Sequence, residues 1–271
     1  MPELPEVETT RRGIEPYILQ LPVDRVVIRE ARLRWPVPEI LRTDLPDQRF
    51  TAINRRGKYL LLHAEAGTLI IHLGMSGSLR LVHESTPLRK HDHVDFVFRN
   101  RLCLRFHDPR RFGCILWTTE NPGQHALLAA MGPEPLSSRF NGRYLYDLAR
   151  NRKIAIKAFL MDSHIVVGVG NIYANEALFL SGIDPRRSAG RISTPRLNDL
   201  CTAIASVLNR SIEQGGTTLR DFVNEQGQPG YFQQTLNVYD KKGHPCPRCG
   251  APIKQCRTGQ RSTFFCSDCQ R

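Results

Sequence analysis

The sequence of 271 residues predicts an α+β protein of several domains, with a β-rich first half, a helical second half and a metal-binding end. Three observations lead to this prediction. Short β-branched or aromatic runs separated by turn residues fill the first half, a pattern typical of a sandwich or a barrel. Helical periodicity replaces them after a proline- and serine-rich stretch at residues 131–138. Five of the eight cysteines then lie between residues 246 and 271.

The elements can be predicted in order along the chain. Leu4, Val7, Arg11 and Ile14 fall at helical spacing, so a short amphipathic helix is expected over residues 5–15, ending before Pro16. The runs that follow predict strands at residues 23–29, 50–54, 59–63, 68–72, 78–82, 94–98 and 102–107.

The second half is predicted to be helical at residues 143–151, 154–162, 171–181 and 194–214. The last of these helices opens with Ser193 or Thr194 as its cap and Pro195 in its first turn, and glycines at 215 and 216 are expected to end it. Residues 217–239 are rich in Gly, Pro, Asn and Gln and are predicted to form a loop.

The charge of the chain indicates a polyanionic partner. Lys and Arg number 38 against 26 Asp and Glu, which gives a formal net charge of +12 and a pI near 9.7. This surplus favours nucleic acid ahead of an anionic membrane surface, although a basic protein without such a partner is the alternative. The sequence has neither the pattern of a secretion signal nor an apolar run of 18 residues, so a cytoplasmic location is expected.

Two Cys-x₂-Cys pairs near the end of the chain predict a zinc site. Cys246 and Cys249 form the first pair, Cys266 and Cys269 form the second, and sixteen residues lie between the two pairs. Four thiolates at this spacing suit tetrahedral zinc and leave no open coordination position, so the metal is expected to be structural. Two disulfides, or a cluster without a metal, are the alternatives, and Cys256 lies outside the spacing.

The segment around the cysteines is strongly basic. Residues 241–271 contain seven Lys or Arg and one acid, Asp268, so this end holds half of the net charge. Arg261, between the two cysteine pairs, is the residue expected to contact a phosphate backbone, unless the loop is merely solvated. Gly168 and Gly170 before Asn171 also suggest a phosphate cradle at a helix N-terminus, with Asn171 as a simple helix cap as the alternative.

The chain opens with Pro2 and Glu3, which together suggest a nucleophile and its proton carrier. If Met1 is removed, Pro2 becomes a secondary α-amine, and roughly a tenth of such termini are unprotonated at pH 7. Such an amine can attack an electrophilic carbon and form an iminium, and Glu3 is placed to exchange the protons. The alternative is that these residues only begin a helix, since Pro and Glu belong in a first turn.

Turns in the first half present side chains suited to DNA. Lys58 follows two arginines at the start of a predicted strand, and Met75 lies between two glycines. Arg110 and Phe112 fall in a turn of sequence DPRRFG. Exposed Met, Arg and Phe on tight turns fit wedges that enter a base stack, whereas the alternative has the Met and the Phe folded back into the core.

With these motifs in hand, the sequence resembles the bacterial formamidopyrimidine-DNA glycosylases over nearly its whole length. The segments that match are residues 2–8 (PELPEVE), 58–60 (KYL), 72–77 (HLGMSG), 91–93 (HDH), 108–113 (DPRRFG), 168–173 (GVGNIY), 215–218 (GGTT) and the four cysteines. The resemblance implies an N-terminal β-sandwich flanked by helices (1–132), a helical domain with a helix-two-turn-helix (133–240) and a C-terminal zinc-finger β-hairpin (241–271). Double-stranded DNA is expected to lie in a basic cleft between the first two.

The resemblance also implies an activity. Enzymes of this family remove oxidised purines, chiefly 8-oxoguanine and formamidopyrimidines, and then cleave the strand by β,δ-elimination. Carried onto this sequence, Pro2 forms the Schiff base, Glu3 serves as general acid and base, Lys58 assists β-elimination and Arg261 assists δ-elimination. The residues expected to contact DNA are His91, Arg110, Arg152 and Asn171, with Met75, Arg110 and Phe112 filling the gap left by the extruded nucleotide.

The resemblance further implies one structural zinc ion, no organic cofactor, and a bacterial monomer whose partner is duplex DNA with oxidised bases or abasic sites.

Two alternative functions stay open. An endonuclease VIII-like glycosylase shares the terminal proline and the finger but prefers oxidised pyrimidines, and Leu4 with the Met75, Arg110 and Phe112 set favours the purine enzyme. A non-catalytic zinc-finger protein explains the charge but not the terminal proline.

Overall fold

The computed structural model describes residues 2–215 and 236–271, which form two compact units. The described residues up to Ala129, together with those from Ile212 to 215, form the first unit. Ala130–Ser211 and the residues from Leu236 onward form the second.

The first unit begins with helix α1, Leu4–Ile18, which continues through Pro16, so the prediction that the helix ends before this proline is wrong. A proline inside a helix lacks the backbone N–H that would donate to the preceding turn, and it reduces the stability of the helix by about 3 kcal/mol. However, Ile14 and Ile18 lie one turn apart, and both are fully buried in the core. Burial of each such side chain contributes about 1.5–3 kcal/mol, which offsets the cost of the proline.

Strands of the first unit form two antiparallel four-stranded sheets, in the orders β1-β6-β7-β5 and β2-β3-β4-β8. The strands are β1 (Val23–Ile28), β2 (Ala52–Arg56), β3 (Tyr59–Ala64), β4 (Gly67–His72), β5 (Ser78–His83), β6 (Asp92–Phe98), β7 (Leu102–His107) and β8 (Cys114–Thr118). The seven predicted strands are confirmed to within two residues at each end. Strand β8 was not predicted, because its pairing with β4 is formed with residues more than forty positions earlier in the chain.

The two sheets face each other across one hydrophobic core and form the sandwich of the predicted fold class. The core takes side chains from α1, from both sheets and from the short helix α2 (Leu41–Asp44). Phe50 and Phe98 meet edge to face in this core with ring centroids 6.3 Å apart, the geometry that aromatic pairs prefer.

The second unit contains the predicted helices. They are α3 (Gly142–Ala149), α4 (Ile156–Leu160), α5 (Asn171–Leu180) and α6 (Thr194–Glu213), although the last two residues of α6 belong to the first unit. Helix α4 is shorter than the prediction of residues 154–162, because Ala155 pairs with Ser188 in an isolated β-bridge and holds the preceding backbone extended. No helix in the described part of the chain is long and apolar enough to cross a membrane.

A two-stranded hairpin, β9 (Lys254–Thr258) and β10 (Arg261–Phe265), completes the second unit. A small core in which Phe179 of α5 meets Ile253 and Phe264 joins the hairpin to the helices. The Phe264 N–H also donates to Asn175 Oδ1 at 2.8 Å. The hairpin is therefore fixed to α5 by both apolar and polar contacts.

Candidate active site and metal centre

Several predicted site residues lie at one end of the sandwich, where the strands beside them begin or end. Strand β3 begins at Tyr59 opposite the end of β4 at His72, and β7 ends at His107 opposite the first residues of β5 and β6. The loops 73–77 and 108–113 pass from one sheet to the other at this end. The predicted residues at this end are Lys58, Met75, His91, Arg110 and Phe112.

Asp108 joins these two loops. Its fully buried carboxylate accepts a hydrogen bond from Ser76 Oγ at 2.8 Å and another from the Gly113 N–H at 2.8 Å. The backbones also touch, because a Cβ on Gly74 would lie 2.4 Å from Gly113 N. The loops therefore form one rigid surface. The sequence contains Asp108 in its DPRRFG motif but gives no sign of its role as a connector.

The side chains at the tips of the loops are presented to solvent. Phe112 is 45% exposed, so the alternative that it packs in the core is wrong. Arg110 is exposed and its guanidinium lies 4.9 Å from the centre of the Phe112 ring, a cation–π contact. Met75 is half-buried in the neighbouring loop. An exposed apolar ring stiffened by an arginine suits insertion between stacked bases.

The start of helix α1 places Pro2 and Glu3 in a protected environment. Pro2 is buried, Glu3 is 2% exposed, and Glu6 is fully buried. Glu6 Oε2 accepts a hydrogen bond from the Glu3 N–H at 2.8 Å, which caps the helix and fixes the backbone of Glu3. Glu6 therefore holds the residue that follows the proposed nucleophile.

The N-terminus of α1 and the turn that holds Lys58 lie at the same end of the first unit. Arg11 donates to the Ile53 carbonyl at 3.2 Å, whereas Glu8, nearer the helix start, accepts from Arg55 at 3.2 Å. Strand β2 therefore runs toward the start of α1, and the turn that joins β2 to β3 lies near that end of the helix. Lys58 is the second residue of that turn, and Gly57 before it has φ +56, as a type II′ hairpin turn requires.

His72 lies beside Lys58 and stays neutral. Burial lowers the pKa of His72 to about 4, with the nearby charges of Lys58 and Arg34 as further causes. Its unprotonated Nδ1 accepts the Gly74 N–H at 2.9 Å, and its ring lies 4.6 Å from that of Tyr59. A neutral imidazole here avoids adding a third positive charge to those of Lys58 and Arg34. The sequence did not predict a role for His72 by itself.

His91 precedes β6 and is half-exposed at the same end of the sandwich. Its backbone is in the left-handed region with φ +75, and its carbonyl accepts the Asp108 N–H at 3.1 Å. The His91 ring stands edge-on to His93 at 6.0 Å and to His107 at 6.2 Å. His91 is therefore held by the same aspartate that joins the two loops.

In the second unit, Asn171 is the first residue of α5 and Gly170 is its cap, so the alternative that Asn171 is the cap is wrong. The Asn171 Oδ1 atom is buried without a hydrogen-bond partner among the described residues. Gly168, with φ +81, turns the chain into this helix. Arg152 is exposed, with its guanidinium 5.8 Å from the Phe159 ring.

Arg261 is the first residue of β10, directly after a tight turn. Gly259 and Gln260 both have positive φ, +55 and +62, which is the requirement of a type I′ hairpin turn. The side chain of Arg261 is exposed and forms no ion pair with any residue that the structure describes. The hairpin therefore presents Arg261 as a fixed, available cation near its tip.

Four cysteines converge below this hairpin. The sulfur atoms of Cys246, Cys249, Cys266 and Cys269 all lie within 4.8 Å of one another, with 3.8 Å between Cys246 and Cys269. Tetrahedral zinc with Zn–S bonds of about 2.3 Å requires sulfurs about 3.8 Å apart, so these four residues fit one zinc ion. The remaining cysteines, Cys103, Cys114, Cys201 and Cys256, lie outside the cluster.

Residues 217–235 of the predicted loop lie outside the described residues, but the segment that follows is firmly attached. The buried carboxylate of Glu176 on α5 accepts hydrogen bonds from the N–H groups of Asn237, Val238 and Tyr239, each 2.8–2.9 Å long. Tyr239 packs edge to face on Phe264 of β10 at 5.3 Å. The sequence did not predict Glu176, because its partners lie some sixty residues further along the chain.

Three family models match the chain. The formamidopyrimidine-DNA glycosylase N-terminal domain matches residues 1–115, and the formamidopyrimidine-DNA glycosylase H2TH domain matches residues 131–223. The zinc finger found in FPG and IleRS matches residues 243–271. Together these matches cover most of the chain and include every predicted site residue.

Relatives along the full chain have the same name. The formamidopyrimidine-DNA glycosylase of Methylococcus capsulatus is 62% identical and that of Nitrosococcus oceani is 56% identical, each aligned over 100% of both chains. The crystal structure of the Thermus thermophilus MutM (FPG) protein matches with 36% identity and a TM-score of 0.89, over 99% of this chain and 98% of that one. The Lactococcus lactis Fpg complex with DNA containing an abasic site matches with 32% identity and a TM-score of 0.92, over 99% of both chains.

Proposed function

The chain belongs to the formamidopyrimidine-DNA glycosylase family, and on that basis we propose that it excises oxidised purines from duplex DNA and then cleaves the strand at the abasic site. The bases removed are 8-oxoguanine and ring-opened formamidopyrimidines. The observation that supports this most directly is the start of α1, where Pro2 and Glu3 lie at the same end of the first unit as Lys58. This end combines a nucleophile, a proton carrier and a cation.

Base removal begins with the proline nitrogen, once Met1 has been removed. The nitrogen attacks the sugar C1′, the bond from C1′ to the base breaks, and the base leaves with the bonding electrons and the proton that the nitrogen gives up. The bond between C1′ and O4′ then opens, Glu3 donates a proton to O4′, and an iminium forms between Pro2 and C1′.

Strand cleavage uses the iminium as an electron sink. Loss of the C2′ proton converts the iminium to an enamine, and the enamine electrons then expel the 3′ phosphate, a β-elimination that Lys58 assists. A second elimination expels the 5′ phosphate, and Arg261 assists it by contact with the phosphate. Arg261 is exposed near the tip of the hairpin and has no ion pair with a described residue, and both observations support this role.

DNA contacts hold the damaged nucleotide out of the stack. A base inside a duplex hides its C1′ from a protein nucleophile, and extrusion costs a few kcal/mol. Met75, Arg110 and Phe112 fill the gap, which the exposure of Phe112 supports. His91, Arg110, Arg152 and Asn171 contact the DNA, and residues 217–239 are the segment that we expect to read the extruded base.

We propose a structural role for the zinc ion. Cys246, Cys249, Cys266 and Cys269 would hold it, and the metal would fix the hairpin that presents Arg261.

We further propose three functional divisions of the chain, residues 1–132, 133–240 and 241–271, and a location in the bacterial cytoplasm, where the substrate DNA is found.

Borohydride trapping tests the proposal, since it reduces the iminium to a stable link between protein and DNA. Wild-type protein incubated with duplex containing 8-oxoguanine should give a covalent complex, which Pro2→Gly weakens and a blocked N-terminus abolishes. Pro122→Gly, in an exposed turn of the same unit, is the matched control and should trap normally. If no oxidised or abasic substrate gives a trapped complex, the proposal is wrong. Trapping only with oxidised pyrimidines would assign the chain an endonuclease VIII-like specificity.

A further inference from the structure

The sheet β1-β6-β7-β5 contains buried ion pairs that lead toward the proposed DNA-binding end. Arg105 is 1% exposed, and its guanidinium donates to both oxygens of Asp95 at 2.9 Å. Arg80, also buried, donates to Asp92 Oδ1 at 2.5 Å. The second oxygen of Asp92 accepts the Arg89 N–H at 2.8 Å. Asp92 is therefore an ionised carboxylate fixed in position by its neighbours.

Asp92 orients the ring of His107. The Nδ1 atom of His107 lies 2.9 Å from Asp92 Oδ1, so this nitrogen carries a proton and donates it to the carboxylate. The His107 side chain is 23% exposed, and its Nε2 makes no hydrogen bond with any residue in the described part of the chain. An aspartate thus fixes the tautomer of an imidazole whose other nitrogen is available to a ligand.

The position of His107 suggests which ligand that is. Its ring lies 6.2 Å from that of His91, and it directly precedes the loop that holds Arg110 and Phe112. We propose that His107 is a second, protonatable phosphate contact beside His91, so that duplex DNA binds more tightly as the pH falls. The inference rests on the proposed function, in which His91 contacts DNA.

Protonation of His107 should be coupled to DNA binding. In the free protein, burial lowers the pKa of His107, Asp92 opposes this effect, and the charges of Arg80 and His91 lower the pKa further. The groups that face the ring are Asp92 from β6, Arg80 from β5, His91 before β6, and Arg105 on its own strand. A phosphate at Nε2 favours the imidazolium, so the protein takes up a proton on binding and its affinity rises as the pH falls.

Two other roles for His107 can be separated from this one. A purely structural histidine would leave DNA affinity independent of its titration. A metal site at the histidines would need three converging donors, and among the described residues only the four cysteines form such a group. A partly exposed imidazole next to a proposed DNA contact therefore favours an anion as the ligand.

The test compares DNA affinity at about pH 6 and about pH 8, on either side of the ordinary histidine pKa. The probe is a duplex with a tetrahydrofuran abasic analogue, measured by fluorescence anisotropy at constant ionic strength. His107→Asn keeps the bond to Asp92, because its Nδ2 takes the place of Nδ1, but it has no Nε2. The quantity compared is the Kd at about pH 8 divided by the Kd at about pH 6. Since a shift of one pKa unit on binding corresponds to about tenfold in affinity, we expect this Kd ratio to be about 3- to 10-fold larger for wild-type protein than for this variant.

His83→Asn is the matched control. His83 is exposed on β5 of the same sheet, five residues from Ser78, the residue that pairs with His107. At about 3.3 Å per residue this places it on the order of 17 Å away, beyond contact with a phosphate at His107. Its Kd ratio should equal that of wild-type protein.

Equal Kd ratios for His107→Asn and wild-type protein would overturn the inference while leaving the proposed function intact, provided that trapping is normal. Absence of trapping would instead refute the proposed function itself. A second measurement does not depend on any variant: NMR titration of His107 in the wild-type protein should give a higher pKa with the duplex bound than without it. An unchanged or lower pKa would also refute the inference.

Discussion

His72 connects the stability of the first unit to pH through a single half-buried ring. Its pKa of about 4 results from burial first and from the charges of Lys58 and Arg34 second. The unprotonated ring also accepts the N–H of Gly74, whose loop holds Met75. Protonation of His72 would therefore place a third charge beside two cations and break the hydrogen bond that starts the loop.

This arrangement predicts acid destabilisation with a defined origin. In the unfolded chain a histidine has a pKa of about 6.5, so between about pH 6.5 and about pH 4 the unfolded state binds a proton that the folded state does not. The free energy of unfolding should then fall with falling pH by about 1.4 kcal/mol per pH unit from this residue alone. His72→Asn, whose Oδ1 can accept the Gly74 N–H but cannot titrate, should reduce the slope by that amount in urea unfolding measured between about pH 6 and about pH 5.

The exposed His83→Asn is again the control and should leave the slope at its wild-type value. If His72→Asn lost stability equally at every pH, the ring would contribute packing alone and the proposed titration would be excluded.

Residues of the site differ in how much of their role the sequence reveals. Pro2 beside Glu3 suggests an amine nucleophile because the chemistry depends on the two residues and their position at the terminus. Asp108 acts through Ser76, 32 residues earlier, and Glu176 acts through Asn237, 61 residues later. Neither connection has a local pattern, so only the folded chain reveals it.

At the scale of elements, the sequence pattern predicted seven of the eight sandwich strands and most of the helices, and the differences have tertiary causes. Helix α1 passes Pro16 because the core accepts Ile18. Helix α4 starts late because Ala155 pairs with Ser188. Both outcomes depend on partners distant in sequence, which a local pattern of apolar residues does not contain.

Lys157 connects two of these elements, α4 and the zinc hairpin. It is fully buried, and its Nζ donates to the Ser262 carbonyl at 2.7 Å and to Thr263 Oγ1 at 2.8 Å. Both acceptors follow Arg261 directly on β10. The ammonium therefore fixes the strand at the position from which Arg261 is presented.

Lys157→Met should loosen this connection without changing the size of the side chain greatly. Because the two acceptors lose a charged donor, the free energy of unfolding should fall by about 1.5–3 kcal/mol. Arg261 would lose its fixed position, so products of δ-elimination should decrease relative to products of β-elimination, as resolved on a sequencing gel with abasic duplex. Lys153→Met, an exposed lysine before α4, is the control and should leave the product ratio unchanged. A stability loss with a normal product ratio would show that Lys157 does not position Arg261.

Across the whole molecule, the charge is distributed in a way that suits a polyanion. The formal net charge is +12, and residues 241–271 have seven Lys or Arg against one Asp. Many of the arginines in the first unit are already paired, as Arg25 is with Asp24 and Glu84. Arg261 makes no such pair with a described residue. Net charge alone therefore overstates how many cations are available to phosphates, and the available ones decide the salt dependence of binding.

The salt dependence of DNA affinity tests this distinction between paired and available cations. Each phosphate contact releases counterions and adds about 0.9 to the magnitude of the slope of log K against log salt concentration. Arg261→Gln should therefore reduce the slope by about 0.9, measured by anisotropy with the tetrahydrofuran duplex over a range of salt concentrations. Arg25→Gln removes the same formal charge from a cation already neutralised by two carboxylates, so its slope should match that of wild-type protein. Equal reductions in both variants would mean that total charge, and not a local contact of Arg261, governs binding.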